Sequence, residues 1–306
     1  MAALSSLSTA STCRSAPCRV CSTPRGIPYL EARSYRILRC RRCGLWYVDP
    51  QPTSEELSTF YSSYDDREQW REREEHFNRG VRKAILRFER GGAVLDVGSG
   101  SGNFLACMRE KGFSVFGVEP SKTGSEYARA VHGIETFHGM VEDYLASGLT
   151  RTFAVVTLLN VLEHLTDPAK ALLELRQRMA PNGLLVVVVP DARFHDVLGR
   201  IRSRLRISDP YWLNQPTSFL SGFKLPDHLC SFQPQTISLL LERCGFRAEF
   251  LQNAPIVFNS GLSRNLGKLL VRSVLQSLYY ITFRRLLFGY STLVIARKTA
   301  RELGSR

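Results

Sequence analysis

The chain has 306 residues, 44% of them hydrophobic, and a formal net charge of +13. This length supports one large core with a small module beside it. No apolar run approaches the ~18 residues that a spanning helix needs, and eight cysteines in a chain this size do not read as a disulfide framework.

Residues 1–17 are rich in Ser, Ala and Thr and carry only Arg14 as a basic residue. They read as a disordered tail in preference to a short transit peptide, and they lack the apolar stretch of a secretory signal. Residues 18–50 form a second unit. Cys18-x2-Cys21 and Cys40-x2-Cys43 stand 18 residues apart, a spacing that surrounds one tetrahedral zinc with four thiolates. Four thiolates fill the coordination sphere, so this zinc is expected to be structural, and thiolate ligands fit a reducing cytoplasm. Cys13, Cys107, Cys230 and Cys244 lack paired spacing and read as ordinary thiols.

Residues 51–92 read as a helical bridge. Thr53 and Glu56 make a capping box for the helix TSEELSTFY. A longer helix is expected from about Asp66 to Arg90, with Trp70, Phe77, Val81, Ile85 and Phe88 as its apolar stripe. Residues 93–306 then alternate strands with helices. The strand candidates are AVLDV, SVFGV, IETF, FAVVTLL, LLVVVV, FRAEFL and STLVIA. Asp167-Pro168 starts one helix, and Cys244-Gly245 closes the helix that begins near Pro234. The alternation predicts an α/β domain, a mostly parallel sheet with helices on both faces. Two insertions interrupt it: 191–232, a candidate substrate lid, and 255–289, an amphipathic helical segment.

The sharpest local feature is VLDVGSGSG, Val94 to Gly102. A strand precedes it and a helix follows, so Gly98, Gly100 and Gly102 sit on a strand-to-helix turn where a ligand approaches the backbone. No Lys-Ser/Thr follows, which excludes the phosphate loop of nucleotidases. The glycines are spaced G-x-G-x-G, not as in the dinucleotide fingerprint. Asp96 before them would repel a pyrophosphate but suit a cation. Glu119, at the end of GVEPS, could accept both hydroxyls of a ribose. A cationic nucleoside such as S-adenosylmethionine has that shape.

VLDVGSGSG, GVEPS and VTLLNVLEHLTDP together resemble the class I S-adenosylmethionine-dependent methyltransferases over about residues 93–298. The resemblance implies a seven-stranded, Rossmann-like sheet beside the N-terminal zinc ribbon. It implies that Asp96 and the loop Gly98, Ser99, Gly100 and Gly102 hold the amino-acid end of the cofactor. Glu119 would hold the ribose, Met140 and Val141 would flank the adenine, and Asn160 would line the pocket floor. Many relatives carry an acid beside the adenine, whereas this chain has Gly139-Met140-Val141 with Glu142 and Asp143 just after. The text YRILRCRRCGLWYVDPQP is similar to a module that opens bacterial methyltransferases of sugars and other small metabolites, a likeness that includes Tyr61-x2-Tyr64.

Methyl transfer depends on positioning, and on a base where the acceptor must lose a proton. His228 lies in a His-x-x-x-Phe segment on the substrate side and is the first candidate, with helix capping as its alternative role. His164 in LEHL is the second, and Tyr64 is a candidate for the acceptor pocket. His195 sits among basic residues and reads as a solvated loop residue. Ubiquinone-pathway O-methyltransferases use Glu-x-x-Glu-His to hold a divalent metal, but here the first position is Asn160. No Asn-Pro-Pro-Tyr or Asp-Pro-Pro-Tyr follows the fourth strand, which argues against methylation of an exocyclic base amine, and no catalytic Cys stands in a Pro-Cys context, which argues against cytosine C5 chemistry.

The expected function is therefore methylation of a small metabolite, at oxygen in the first instance, with a sugar, quinone-like or lipid-like acceptor. The positive excess leaves other partners open. Residues 1–43 carry eight Arg and one Glu, so an RNA methyltransferase gripping RNA through its ribbon is the second reading. A non-catalytic scaffold is the third. Leu266, Leu270, Val274, Leu278 and Ile281 share one helical face and Arg264, Lys268 and Arg272 another, so 264–288 is a candidate for peripheral membrane contact or a homodimer face.

Overall fold

Three short strands open the structure as an antiparallel meander: β1 (Ile27–Ala32), β2 (Tyr35–Arg39) and β3 (Trp46–Asp49). The computed structural model describes residues 17–24, 26–32, 35–62, 75–204, 228–255 and 289–300, with the isolated positions 270, 273–274, 277 and 281. Cys18 and Cys21 precede β1, and Cys40 to Cys43 make the turn between β2 and β3. α1 (Ser54–Ser62) begins at the expected capping box: Thr53 N donates to Glu56 Oε2 at 2.7 Å, and Glu56 N to Thr53 Oγ1 at 3.2 Å.

α2 (Glu75–Ile85) buries Phe77, Val81 and Ile85, the stripe that the helical period predicts. The pattern runs on to Phe88, but the helix ends at Ile85 and residues 86–88 are turn. There Phe88 N donates to Ile85 O at 2.8 Å, the tighter bond of a turn, and Arg297 reaches the end of that turn. Its Nη2 donates to Phe88 O at 2.8 Å, and the turn lets the Phe88 ring face Phe250 at 5.9 Å. Trp70 lies outside the described residues.

The alternating region follows as β4 (Ala93–Val97), α3 (Asn103–Arg109), β5 (Ser114–Glu119), α4 (Lys122–His132), β6 (Thr136–His138), α5 (Val141–Ala146) and β7 (Phe153–Leu159). It continues with α6 (Pro168–Gln177), β8 (Met179–Pro190), α7 (Ala192–Arg204), β9 (Cys230–Ser231), α8 (Pro234–Arg243), β10 (Phe246–Asn253) and β11 (Ser291–Lys298). Seven strands form one sheet in the order β10-β11-β8-β7-β4-β5-β6. The pairs from β6 to β8 are parallel, and β11 runs antiparallel to both of its neighbours. This is the mostly parallel sheet that the alternation predicts, with the seven-stranded Rossmann-like form that the resemblance implies. The chain leaves β4 toward β5 and β6, then returns to the other side through β7 and β8. That reversal opens a crevice at the carboxyl ends of β4 and β7, where such sheets bind ligands.

The inner strands of the sheet are buried on both faces, so their side chains divide with period two. Val94, Val155, Val186 and Ile295 pack with α2 and α3 on one face. Leu95, Val156, Val187 and Val294 pack on the other, with Tyr144 of α5, Leu172 of α6 and Leu240 of α8. Leu38, Leu45 and Tyr47 of the cysteine module belong to that second cluster. Moreover, β9 pairs with β3, placing Tyr47 opposite Cys230 and Trp46 opposite Ser231. The module is thus one sheet shared with the segment that returns from the first insertion. Among the described residues, no helix is long and apolar enough to cross a membrane.

Candidate active site

The loop after β4 is tied to the neighbouring strand. Gly98 N and Ser99 N both donate to Val118 O, at 2.7 and 3.1 Å. Gly98, Gly100 and Gly102 all take positive φ, at 71°, 52° and 78°. A Cβ on Gly98 would meet Val161 Cγ2 at 2.4 Å, whereas one on Gly100 would meet nothing within 4 Å. Gly98 therefore packs the loop against the end of β7, and Gly100 leaves a bare surface for a ligand.

Two buried carboxylates frame this loop. Asp96 Oδ1 accepts from Thr157 Oγ1 at 2.5 Å, across the β4–β7 pair. Glu119 Oε2 accepts from Gly100 N at 2.7 Å and its Oε1 from Ser121 N at 2.8 Å. Each carboxylate oxygen can take two hydrogen bonds. Glu119 is thus a clasp on the glycine loop as well as a candidate ribose ligand, which its position in the sequence does not reveal. Thr157, the partner of Asp96, has no motif signal either.

The remaining candidates for the cofactor lie along the same rim. Met140 and Val141 follow β6. Met140 N donates to Asp143 Oδ2 at 3.2 Å, which fixes the start of α5, and Val141 is buried. Asn160 follows β7 with φ 57°, and its N–H donates to Val188 O at 2.9 Å. Asn tolerates this left-handed backbone better than most residues. The bare glycine loop, two carboxylates and an apolar Met140-Val141 step fit a ligand with a cationic end, a ribose and a flat base.

Beyond Asn160, residues Leu162–His164 make one turn of 3-10 helix. It brings His164 to His228, from the return of the first insertion. The two rings pack edge to face with centroids 4.7 Å apart. Glu163 is 1% exposed, and its carboxylate lies within 4.8 Å of a ring nitrogen of each histidine. The trio could offer three donor atoms to a cation. The N-cap position of α8 is Gln233, five residues beyond His228. Tyr64 lies outside the described residues. His195 is a helical residue of α7, not a loop residue, with Nε2 3.1 Å from Tyr290 O.

The four cysteines of the N-terminal module converge. Cys18 Sγ is 3.5 Å from Cys43 Sγ, Cys21 Sγ is 3.4 Å from Cys40 Sγ, and all four sulfurs lie within 4.8 Å of one another. Tetrahedral zinc with ~2.3 Å bonds needs sulfurs about 3.8 Å apart, so the donor set fits. Hydrogen bonding from Cys43 holds the Cys18 thiol below its usual range. Burial pushes Cys230 and Cys244 up to about 12, which keeps them as inert thiols.

Residues 69–249 match the family model described as a methyltransferase domain. The chain belongs to the methyltransferase family. The mitochondrial ubiquinone biosynthesis O-methyltransferase of Schizosaccharomyces pombe is 37% identical over 105 residues, 32% of this chain and 37% of that protein. The ubiquinone biosynthesis O-methyltransferase of Caulobacter sp. strain K31 is 30% identical over 166 residues, 49% of this chain and 64% of that protein. The chain thus spans between 37% and 64% of the length of these curated relatives. Among solved structures, the cyclase SpnF is 15% identical with a TM-score of 0.51, covering 82% of this chain and 99% of its own. A protein of Pyrococcus horikoshii OT3 is 16% identical with a TM-score of 0.50, covering 80% and 99%. At these identities the likeness is one of fold. That a cyclase shares the fold of a methyltransferase domain means that the reaction must be read from the site.

Proposed function

We propose that this chain is an S-adenosylmethionine-dependent methyltransferase that methylates an oxygen of a quinone-like phenolic metabolite. The observation that carries the reading is the edge-to-face pair His164–His228, backed by buried Glu163, on the turn that follows the strand-end rim of Gly98–Gly102 and Glu119. The curated relatives named for ubiquinone biosynthesis support the acceptor class.

When bound, S-adenosylmethionine supplies a methyl group on a sulfonium, already an excellent leaving group. Asp96 and the glycine loop would hold its amino-acid end, Glu119 its ribose, and Met140 and Val141 its base, with Asn160 beneath. A phenol ionises near pH ~10, so it must lose its proton to attack at neutral pH. His228 takes that proton at an imidazole nitrogen. His164 and Glu163 then stabilise the imidazolium that forms. The four cysteines hold a structural zinc in a reducing cytoplasm.

Isothermal titration with S-adenosylmethionine tests the donor, and transfer of a labelled methyl group to a catechol with an apolar tail tests the acceptor. His228→Asn should lower kcat by about 10²–10⁴ while leaving cofactor affinity unchanged. Folded protein that does not bind the cofactor at millimolar concentration would refute the proposal. Activity that requires an added divalent cation would instead assign Glu163, His164 and His228 to metal binding. A lipid-like acceptor near a membrane gains support from Leu270, Val274 and Ile281. These helical positions are 66%, 52% and 72% exposed. Labelled transfer that rises on adding anionic vesicles would favour it.

A further inference from the structure

Leu229 joins three parts of the molecule through its backbone. Its carbonyl accepts from Val48 N of β3 at 2.9 Å, and its amide donates to Glu163 O at 2.8 Å. His228 precedes Leu229, and His164 follows Glu163. The two imidazoles therefore stand on backbone that these bonds tie together. The next residues are held the same way. Cys230 and Ser231 pair with β3, and Phe232 O accepts from Ala192 N at 2.9 Å. A strand of two residues makes too few ladder bonds to order itself. Its place comes from its neighbours.

The neighbour on one side is built around the four cysteines. Cys40 N donates to Leu45 O at 2.8 Å and Gly44 N to Cys40 O at 3.1 Å, so the turn of the second cysteine pair leads straight into β3. Cys43 reaches the other side of the same segment. Its carbonyl accepts from Thr236 Oγ1 at 2.6 Å, and Thr236 is fully buried at the start of α8. Gln233 Nε2 adds a bond of 3.4 Å to Gly44 O. Residues 228–233 thus run between two elements that the cysteine turn contacts.

We infer that the cysteine ribbon is the positioning device of the histidine pair. A zinc-type cation on four thiolates sets the turn at 40–43. That turn sets β3 and, through Thr236, the start of α8, and together they hold His228 against His164. Val48 and Thr236 are positioning residues that touch neither methyl donor nor acceptor. The inference rests on reading His164 and His228 as the acceptor-side pair, but its structural readouts do not depend on which acceptor is used.

The test uses the full chain loaded with zinc, then stripped by a chelator, then reloaded. Imidazole resonances of His164 and His228 are followed by NMR, amide exchange by mass spectrometry, and S-adenosylmethionine affinity by titration. Stripping should shift both imidazoles and raise exchange over residues 228–236 by about ten-fold or more. Cofactor affinity should stay within about two-fold, residues 93–119 should keep their protection, and zinc should restore all of it. Thr236→Val, with its metal content intact, should shift the same imidazoles in the same direction, and Thr236→Ser should restore them. Unchanged imidazoles after stripping overturn the inference. So does equal loss of protection at 93–119, which would make the ribbon a general stabiliser. A purified chain that carries no metal overturns it as well. Failure to bind S-adenosylmethionine in the loaded protein is a separate result and counts against the proposed donor alone.

Discussion

Gly98 and Gly100 both take left-handed backbone, yet a side chain would meet different surroundings at each. An alanine at either position costs about 1–2 kcal/mol for its backbone. At Gly98 its methyl would also press on Val161, adding about 1–3 kcal/mol of overpacking. Urea unfolding should therefore find Gly98→Ala the less stable variant. Gly100→Ala should fold with the smaller loss but bind S-adenosylmethionine more weakly, because its methyl enters the ligand's side of the loop. Asp191 gives a second test at this scale. It is 1% exposed and caps α7, with Oδ1 accepting from Arg193 N at 2.9 Å. Burial pushes its carboxyl up to about 6. The folded chain therefore binds this proton more tightly than the unfolded chain, whose value is ~3.9. The resulting stability is complete below about pH 4 and is lost as pH rises through about 6. Asn cannot ionise but can still cap. From about pH 4.5 to about pH 7.5, Asp191→Asn should gain about 2 kcal/mol relative to the parent in denaturant unfolding, and a flat difference would remove this assignment.

At the scale of elements, local chemistry explains most boundaries. Asp167 Oδ1 accepts from Lys170 N at 3.0 Å, and Pro168 follows at the first helical position of α6. Asp167→Ala should cost about 1 kcal/mol in chemical denaturation, since it removes that cap alone. The capping box of α1 and the φ of +77° at Gly245 after α8 follow from residues within one turn of each boundary, so both were legible. β9 was not. Its two residues have no period to detect, and its partners lie about 180 positions earlier in β3. The turn after α2 has a distant partner of the same kind, because the residue that donates to the Phe88 carbonyl is Arg297 of the last strand.

At the scale of the molecule, the cysteine module and the large sheet share a core. Leu38, Leu45 and Tyr47 are each at most 3% exposed and cluster with residues from β7, α6 and α8. Burial of such side chains contributes about 1.5–3 kcal/mol each, and about 2–4 °C of melting temperature accompanies each kcal/mol in a chain this large. A chain lacking residues 1–50 should therefore melt about 10 °C or more lower and bind a hydrophobic dye at the uncovered face. An unchanged melting point would mean that the shared cluster contributes little.

The sequence by itself determined the alternation of strands and helices, the glycine loop with its two carboxylates, and the four-cysteine spacing. Each of these is written in residues near one another in the chain, through side-chain period, turn chemistry or ligand spacing. Only the tertiary structure decided that His164 faces His228 with the Glu163 carboxylate close to both, that Glu119 clasps Gly100, and that β3 carries the segment beside His228. Those pairings join residues from 19 to about 180 positions apart. Nothing in a local pattern encodes them, because they come from the order in which strands assemble and from the burial that the assembled sheet imposes on its edges.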